Sequence, residues 1–548
     1  MKKLLLIAIL VLAFILRFYQ LGSLPALNAD EAAIGYNAYS LIQTGKDEHG
    51  NSWPIHFQSF NDYKPGLYFY VVLPFVKVLG LNELAVRIPG ALAGVLTVLI
   101  VYLLVKQLFN KKEFALVAAF LLAISPWHIQ FSRGGWEVNF ATFLITTGIW
   151  LFIKSVDEKL NLKFLLGSVL LFVASLYTYH AARVIVPLMG LGLLVIYKKE
   201  IFVKNLKKLL IATVLGIVLL VPLGLDLAKP AISSRAAGVG LFADSGPLSR
   251  IEEQRTEHGN FNSPIAKVLH NKVVNYGLAF AYNWSRHFWG EFLFLSGDII
   301  QRNRVPETGQ LYLIELPFVL IGLYKIITDS KDLEKRKRWS IIVWWLIIAP
   351  IAAGLTFQAP HALRAENMVI PLEIISAYGL IQILIYIKKT KIKSFLIGGY
   401  IALSVLMVWS VARYLHMYYV HMAKEYPYSS QYGVKELVDY VSKNQNEYQK
   451  ILVTDRYDQP YILFLFYTKY SPTKFQSEHL LTGRDSFGFS TVNHFDKYYF
   501  TSIKFDEAQP NNPNSLLIGT DGEIPDEANI VKNIYGTNGY LYFQIVRN

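Results

Sequence analysis

Eleven apolar runs punctuate this chain, and their spacing settles the fold class before any motif is considered. They lie at Leu4–Leu21, Leu84–Leu108, Phe114–Gln130, Val138–Ile153, Phe164–Tyr179, Val184–Tyr197, Leu209–Leu225, Leu311–Ile327, Ser340–Thr356, Met368–Ile387 and Phe395–Leu415. Most approach the length needed to cross a bilayer core of roughly 30 Å as a helix. Over 548 residues the chain is 53% hydrophobic, with a mean hydropathy of +0.33, which is too apolar for a soluble protein of this size. The first run follows Lys2-Lys3, carries Arg17 near its end and lacks a small-x-small cleavage pattern directly after it, so it reads as a retained span rather than a signal peptide.

The net charge of +13 bears on topology before it bears on nucleic acid. With the N-terminus inside, the inner loops are 106–113, 154–163, 198–208, 325–338 and 388–393. Together with Lys2 and Lys3 they hold 23 lysines and arginines against seven acids. That surplus is larger than the charge of the whole chain, so the positive residues sit where the positive-inside rule puts them. The rule also decides the segment Pro65–Gly80, since counting it as a span would invert every later loop. It is expected to lie along the outer membrane surface. The outer loops are then 22–83, 131–137, 180–183, 226–310, 357–367 and everything after Tyr418. Val273–Phe294 within the long loop reads as a re-entrant segment or two short helices, which keeps thirteen spans open beside eleven.

From about Glu425 the composition becomes that of a soluble domain. Gly433–Tyr448 has helical spacing, Ile451–Asp455, Lys497–Phe505 and Ser515–Gly519 read as strands, and Asn538-Gly539 marks a hairpin between Ile530–Tyr535 and Tyr540–Val546. The expected architecture is a polytopic α-helical membrane domain over 1–424, with outer loops 22–83 and 226–310, and a small extracytoplasmic α/β domain over 425–548. The chain has no cysteine, so neither disulfides nor thiolate chemistry enter.

Ionisable residues avoided by the spans collect on the outer side. They are Asp30 with Glu31, Asp62 with Lys64 in Asn61-Asp62-Tyr63-Lys64-Pro65-Gly66, Arg87, His128 with Arg133 and Glu137, His180 with Arg183, and His361 with Arg364 and Glu366. Polar groups at membrane depth are costly, and a concentration of them on one face points to a functional site. Carboxylates beside a lysine and arginines suit a phosphate-bearing lipid whose head group meets a polar acceptor. The cations would hold the departing phosphate, and a carboxylate would take the nucleophile's proton. No Walker-type glycine loop is present, which disfavours a nucleoside triphosphate. His258, His270 and His287 lack a tight metal-ligand spacing.

The same residues resemble a known family. Asp30-Glu31 after the first span, Tyr63-Lys64-Pro65-Gly66-Leu67-Tyr68, Glu83-Leu-Ala-Val-Arg87-Ile-Pro89-Gly-Ala-Leu, Ser125-Pro-Trp-His128-Ile-Gln-Phe-Ser-Arg133, Tyr177-Thr-Tyr179-His180-Ala-Ala-Arg183 and Pro360-His-Ala-Leu-Arg364 are similar to landmarks of the polyprenyl-phosphate-sugar-dependent glycosyltransferases of the GT-C superfamily. The nearest branches are the protein O-mannosyltransferases and the lipid A aminoarabinose transferases, and the likeness covers roughly residues 1–386. It implies an inverting hexosyl or pentosyl transfer from a polyprenyl-phosphate-linked sugar to a glycan, lipid or protein acceptor, on the outer face of the cell membrane. It makes Asp30 the general base, with Glu31 supporting it. It places Lys64 on the donor phosphate and makes Arg87, Arg133, Arg183 and Arg364 candidates to share that anion. Asp62, Tyr63, Glu137, Tyr179, His180 and His361 are expected around the substrate. In the aminoarabinose branch an acidic residue directly precedes the lysine, whereas here Tyr63 does. A divalent metal borrowed from that branch is therefore left open, and no metal ligands are assigned.

Other readings of the same residues stay beside this one. Asp30 suits a helix N-cap, and Arg87 and Lys64 suit interfacial anchors that snorkel to head groups. A lipid-linked-sugar flippase would need polar groups within broken spans near the midplane. A catalytically inactive scaffold would work through the outer α/β domain.

Overall fold

A computed structural model of the chain describes residues 2–60, 62–230, 232, 240–328, 332–389, 393–483 and 490–548. Asn61 of the lysine motif and residues 233–239 of the long loop lie outside the described residues. Up to residue 227 the α-helices are α1 (Lys2–Phe18), α2 (Ala29–Thr44), α3 (Leu67–Leu79), α4 (Glu83–Phe109), α5 (Lys112–Ile124), α6 (Pro126–Ser132), α7 (Glu137–Asp157), α8 (Leu162–Leu176), α9 (Ala182–Ile196) and α10 (Leu206–Leu227). Every one of the eleven expected runs lies on a helix. Among the described residues six helices are long and apolar enough to cross a membrane: Glu83–Phe109, Glu137–Asp157, Leu206–Leu227, Leu333–Gly354, Glu366–Lys389 and Leu396–Glu425. The pair α5/α6, bent by 58°, makes a seventh. The others are shorter: α1, α8, α9 and Glu315–Thr328 have 17, 15, 15 and 14 residues. Helices of that length are about 21–26 Å long. The protein is a multi-pass helical membrane protein with a C-terminal sheet region.

The chain packs as two compact units that do not follow a single cut at residue 424. The first comprises Met1–Arg17, Ala93–Phe131 and Val138–Tyr414, and the second Phe18–Leu92, Ser132–Glu137 and Leu415–Asn548. In the first unit, Glu315–Thr328 and Val369–Lys389 approach backbone to backbone. A Cβ on Gly379 would stand 1.8 Å from the Phe318 carbonyl oxygen, and one on Gly322 would stand 2.3 Å from that of Ile375. Small residues at such crossings are how membrane helices gain close packing. Arg17, which interrupts the first run, is fully buried. It donates to the carbonyls of Leu122 (3.3 Å) and Ala123 (3.0 Å) and lies 2.6 Å from His128 Nδ1. Those carbonyls end α5, where Pro126 supplies no amide to continue the ladder, so the arginine serves acceptors that the break leaves over.

The second unit joins residues 22–83, the segment expected as the first outer loop, to the C-terminal domain. The loop folds as α2, the hairpin β1 (His56–Ser59) and β2 (Asp62–Pro65), and α3. With 13 residues α3 spans only about 20 Å, too short to cross a bilayer core. The C-terminal sheet has seven strands: β3 (Lys450–Val453), β4 (Leu480–Leu481), β5 (Val492–Phe495), β6 (Tyr498–Phe500), β7 (Ser515–Gly519), β8 (Ile530–Tyr535) and β9 (Leu541–Arg547). Their order is β4-β5-β6-β3-β7-β9-β8. The central β6-β3-β7 trio is parallel and the flanking pairs are antiparallel. The expected hairpin joins β8 to β9, with Gly539 in the left-handed region (φ 82°) that this turn needs.

The helix Pro460–Thr468 is apolar all round because it is buried all round. Phe464 meets Phe500 of the sheet with ring centroids 5.6 Å apart. From the same helix Phe466 reaches Gly35 of α2, where a Cβ would stand 2.6 Å from its ring. Thus α2, the helix that carries Asp30 and Glu31, is built against the C-terminal domain.

Candidate active site

Both acids of the Asp30-Glu31 pair lie in the first turn of α2, and the structure gives them different work. Asn28, not Asp30, is the N-cap. Its side chain accepts from the Glu31 amide at 3.0 Å, and the Glu31 carboxylate accepts from the Asn28 amide at 3.3 Å, a reciprocal capping box. Negative charge at this end of a helix is favoured by the aligned peptide dipoles. Glu31 is fully buried and saturated. Oε1 accepts from Arg87 Nε (2.7 Å) and the Gly135 amide (2.8 Å), and Oε2 accepts from Arg87 Nη2 (2.8 Å) and Asn28 Nδ2 (3.1 Å). The remaining Arg87 donors reach the carbonyls of Leu21, Pro25 and Ala26 at 2.9–3.2 Å. All five guanidinium hydrogens are thereby used. Arg87 was expected on the donor phosphate; the structure makes it the anchor of Glu31, with no donor left for a ligand.

Asp30 is one residue away and differently placed. Its Oδ1 pairs with Lys64 Nζ, and the two side chains remain 24% and 10% exposed. Lys64 stands on β2 opposite Phe57 of β1 and lies over the Phe60 ring at 4.8 Å. Strand alternation puts Asp62 on the same face as Lys64 and Tyr63 on the other. Burial works against the Lys64 ammonium, but Asp30 first, then Glu137 and Asp62, outweigh it and hold the group above its ordinary value. Lys64 is thus a cation in a carboxylate environment.

Glu48, which the sequence reading did not single out, belongs to the same surroundings. It is fully buried, its amide donates to Asn37 of α2 at 2.9 Å, and the Tyr461 hydroxyl reaches its Oε1 at 3.4 Å. Burial first and Asp47 second push its carboxyl well above the usual range, with Lys64 pulling the other way. The one sequence signal for Glu48 is the dense polar run Lys46-Asp47-Glu48-His49 between two apolar segments.

Arg133, another expected phosphate ligand, is fully buried in the second unit. It donates to Tyr418 Oη (3.1 Å) and to the carbonyls of Tyr19 (2.7 Å) and Leu24 (3.3 Å), and lies 5.1 and 5.3 Å from the Tyr418 and Tyr419 ring centroids. It joins distant segments of that unit. Glu137, at the start of α7, contributes to the field on Lys64.

Tyr179, His180, Arg183, His361 and Arg364 belong to the first unit. Tyr179 and His180 are half-buried in the turn between α8 and α9, where Arg183 donates to the Leu176 carbonyl (3.2 Å) and lies 3.1 Å from His180 Nδ1. The His361 amide donates to His287 Nε2 (3.0 Å), its ring lies 3.7 Å from Asp298, and Arg364 donates to Thr356 Oγ1 (2.7 Å). Burial drives His361 well below the ordinary histidine range and His287 down to about 4, so both rings are neutral near pH 7. Among the described residues no three His, Asp or Glu side chains are grouped to hold a metal ion.

Comparison with known proteins settles the architecture. The family model for dolichyl-phosphate-mannose-protein mannosyltransferases matches residues 63–224. Two solved structures share the fold along nearly the whole chain. ArnT from Cupriavidus metallidurans bound to undecaprenyl phosphate matches with a TM-score of 0.55 at 11% identity, covering 98% of this chain and 97% of that one. The Archaeoglobus fulgidus oligosaccharyltransferase AglB, in complex with an inhibitory peptide and a dolichol-phosphate, matches with a TM-score of 0.52 at 13% identity, covering 95% and 69%. The chain has the GT-C fold. A curated relative from Aquifex aeolicus is 32% identical over 168 residues, a stretch covering 30% of this chain and only 32% of that protein. The Asp30–Lys64 pair and the Glu31–Arg87 pair both lie within the second compact unit.

Proposed function

We propose that the protein is a membrane glycosyltransferase that moves a sugar from a polyprenyl-phosphate carrier to an acceptor on the outer face of the cell membrane, with inversion at the anomeric carbon. The observation that carries this reading is the Asp30–Lys64 pair, largely buried but with the Asp30 carboxylate still partly exposed, set at a helix N-terminus and held in place by a saturated, buried Glu31–Arg87 pair. The lipid phosphates named with the two solved GT-C structures support a lipid-phosphate donor here.

The chemistry follows from charge. The acceptor oxygen attacks the anomeric carbon, the bond from that carbon to the phosphate oxygen breaks, and the electron pair leaves with the phosphate. The Lys64 ammonium stabilises that departing charge. Asp30 takes the acceptor's proton as the new bond forms. A donor phosphate competes with Asp30 for Lys64, so binding of the donor frees the carboxylate for its work as base. Glu31 keeps its charge pinned to Arg87 and fixes the turn on which Asp30 stands.

The test is release of polyprenyl phosphate from a panel of polyprenyl-phosphate sugars by purified protein, with a membrane and cell-wall extract as acceptor. Release by the wild type and not by Asp30→Asn supports the reading and names the donor. No release from any donor by folded protein contradicts it.

A further inference from the structure

The parallel strands of the C-terminal sheet end in a cluster that the transfer chemistry above does not use. Ligands of open α/β sheets bind beyond the carboxyl ends of such strands. After β3 come Thr454, Asp455, Arg456 and Tyr457, and after β7 come Thr520 and Asp521. Tyr457 and Tyr428 lie nearly parallel, 16° apart with centroids separated by 5.8 Å, and Tyr428 is 48% exposed. The Tyr457 hydroxyl donates to the Tyr542 carbonyl at 3.2 Å, which fixes that ring. Arg456 and Asp521, both exposed, lie close enough to act electrostatically on both tyrosines, and Arg456 donates to Thr520 Oγ1 at 2.9 Å. Beneath them Tyr542, 1% exposed, packs edge-on to Tyr428 at 4.5 Å, and its hydroxyl has no hydrogen-bond partner among the described residues.

We infer that this cluster is a carbohydrate-binding platform that presents a glycan acceptor to Asp30. An exposed tyrosine ring, Tyr428, stacked on half-buried Tyr457 and fringed by an arginine and a carboxylate, matches a sugar, which offers an apolar ring face and a rim of hydroxyls. The link to the proposed reaction is Gln431, three residues after Tyr428. Its Oε1 accepts from the Ala29 amide at 2.7 Å, and its Nε2 donates to the Asp458 carbonyl at 2.5 Å. One side chain therefore ties the two tyrosine-bearing segments to the residue before Asp30. The inference rests on the transferase reading for the word acceptor, while the sugar site itself stands on the cluster alone.

The test uses the full-length protein in detergent, titrated with mannotetraose, chitotetraose and galactotetraose and followed by saturation-transfer difference NMR. Binding of at least one of them is expected, weakened about tenfold or more in Tyr428→Ala/Tyr457→Ala, since loss of a stacked ring removes a contact of this order. Tyr428→Phe/Tyr457→Phe should bind within about twofold of wild type if stacking carries the contact. Asp521→Ala, on the exposed rim, should weaken binding without touching the core. Asp30→Asn should still bind the sugar while failing to release polyprenyl phosphate, which separates failure of the platform from failure of the transferase reading. In transfer assays the double alanine variant should raise the acceptor KM and leave the donor KM unchanged. Absence of binding to all three sugars, or unchanged binding in both the double alanine and Asp521→Ala variants, overturns the proposal.

Discussion

Asp30 and Glu31 are neighbours in sequence and on the same helical turn, yet one is partly exposed beside a lysine and the other is buried and saturated by an arginine. Glu31 and Arg87 are both 0% exposed, with every donor and acceptor of the pair engaged, whereas Asp30 and Lys64 stay partly open and meet through one carboxylate oxygen. The contrast separates two uses of an ion pair. A buried, saturated pair contributes uniqueness of structure and is expensive to break from one side. A pair that keeps one carboxylate partly exposed can exchange partners with a ligand.

Substitutions at the two pairs should separate their roles. The largest effect should come from Asp30→Asn, which removes the proton acceptor: turnover is expected to fall by about two to four orders of magnitude, with thermal unfolding unchanged. Glu31→Gln should do the reverse in kind. It leaves the buried Arg87 charge uncompensated, a cost of about 3–5 kcal/mol, read as a lowered midpoint in thermal or denaturant unfolding. Lys64→Gln should come next, raising the KM for the lipid-linked donor by about ten- to a hundredfold through loss of a charge-assisted contact of ~1.5–3 kcal/mol, measured in the release assay.

The smallest effect should come from Glu48→Gln. Burial raises the Glu48 carboxyl well above its value in the unfolded chain. Stability contributed by such a group is present below the unfolded value of about 4.3 and is lost as pH rises through the folded one. The variant should therefore match wild type near pH 4 and become progressively more stable than wild type toward pH 8, as followed by unfolding across that range.

Much of the fold was legible because hydrophobic length and charge asymmetry are local properties. Each of the eleven apolar runs is helical, and Asn538-Gly539 does turn β8 into β9. The helix cap was misplaced: the sequence offered Asp30 as the N-cap, and the structure puts it on Asn28. The arginines were harder. Arg87 and Arg133 look like phosphate ligands in sequence, but all five donors of Arg87 go to Glu31 and carbonyls, and Arg133 donates to Tyr418, 285 residues away, and to the carbonyls of Tyr19 and Leu24; such partners leave no mark on composition. Gln431 meets Ala29 across 402 residues, and Pro460–Thr468 is apolar like a span yet serves as the core between a sheet and α2. Long-range packing decided each of these cases. The structure also binds the C-terminal domain into the unit that carries Asp30, where composition alone suggested a separate domain from residue 425.

The most direct measurement runs Asp30→Asn and Glu31→Gln side by side, scoring release of polyprenyl phosphate per folded molecule together with thermal unfolding. The expected pattern is a stable Asp30→Asn protein that releases nothing above background and a destabilised Glu31→Gln protein that still turns over when kept cool. Wild-type release by Asp30→Asn, or an unaltered unfolding midpoint in Glu31→Gln, would contradict the division of labour between the two carboxylates.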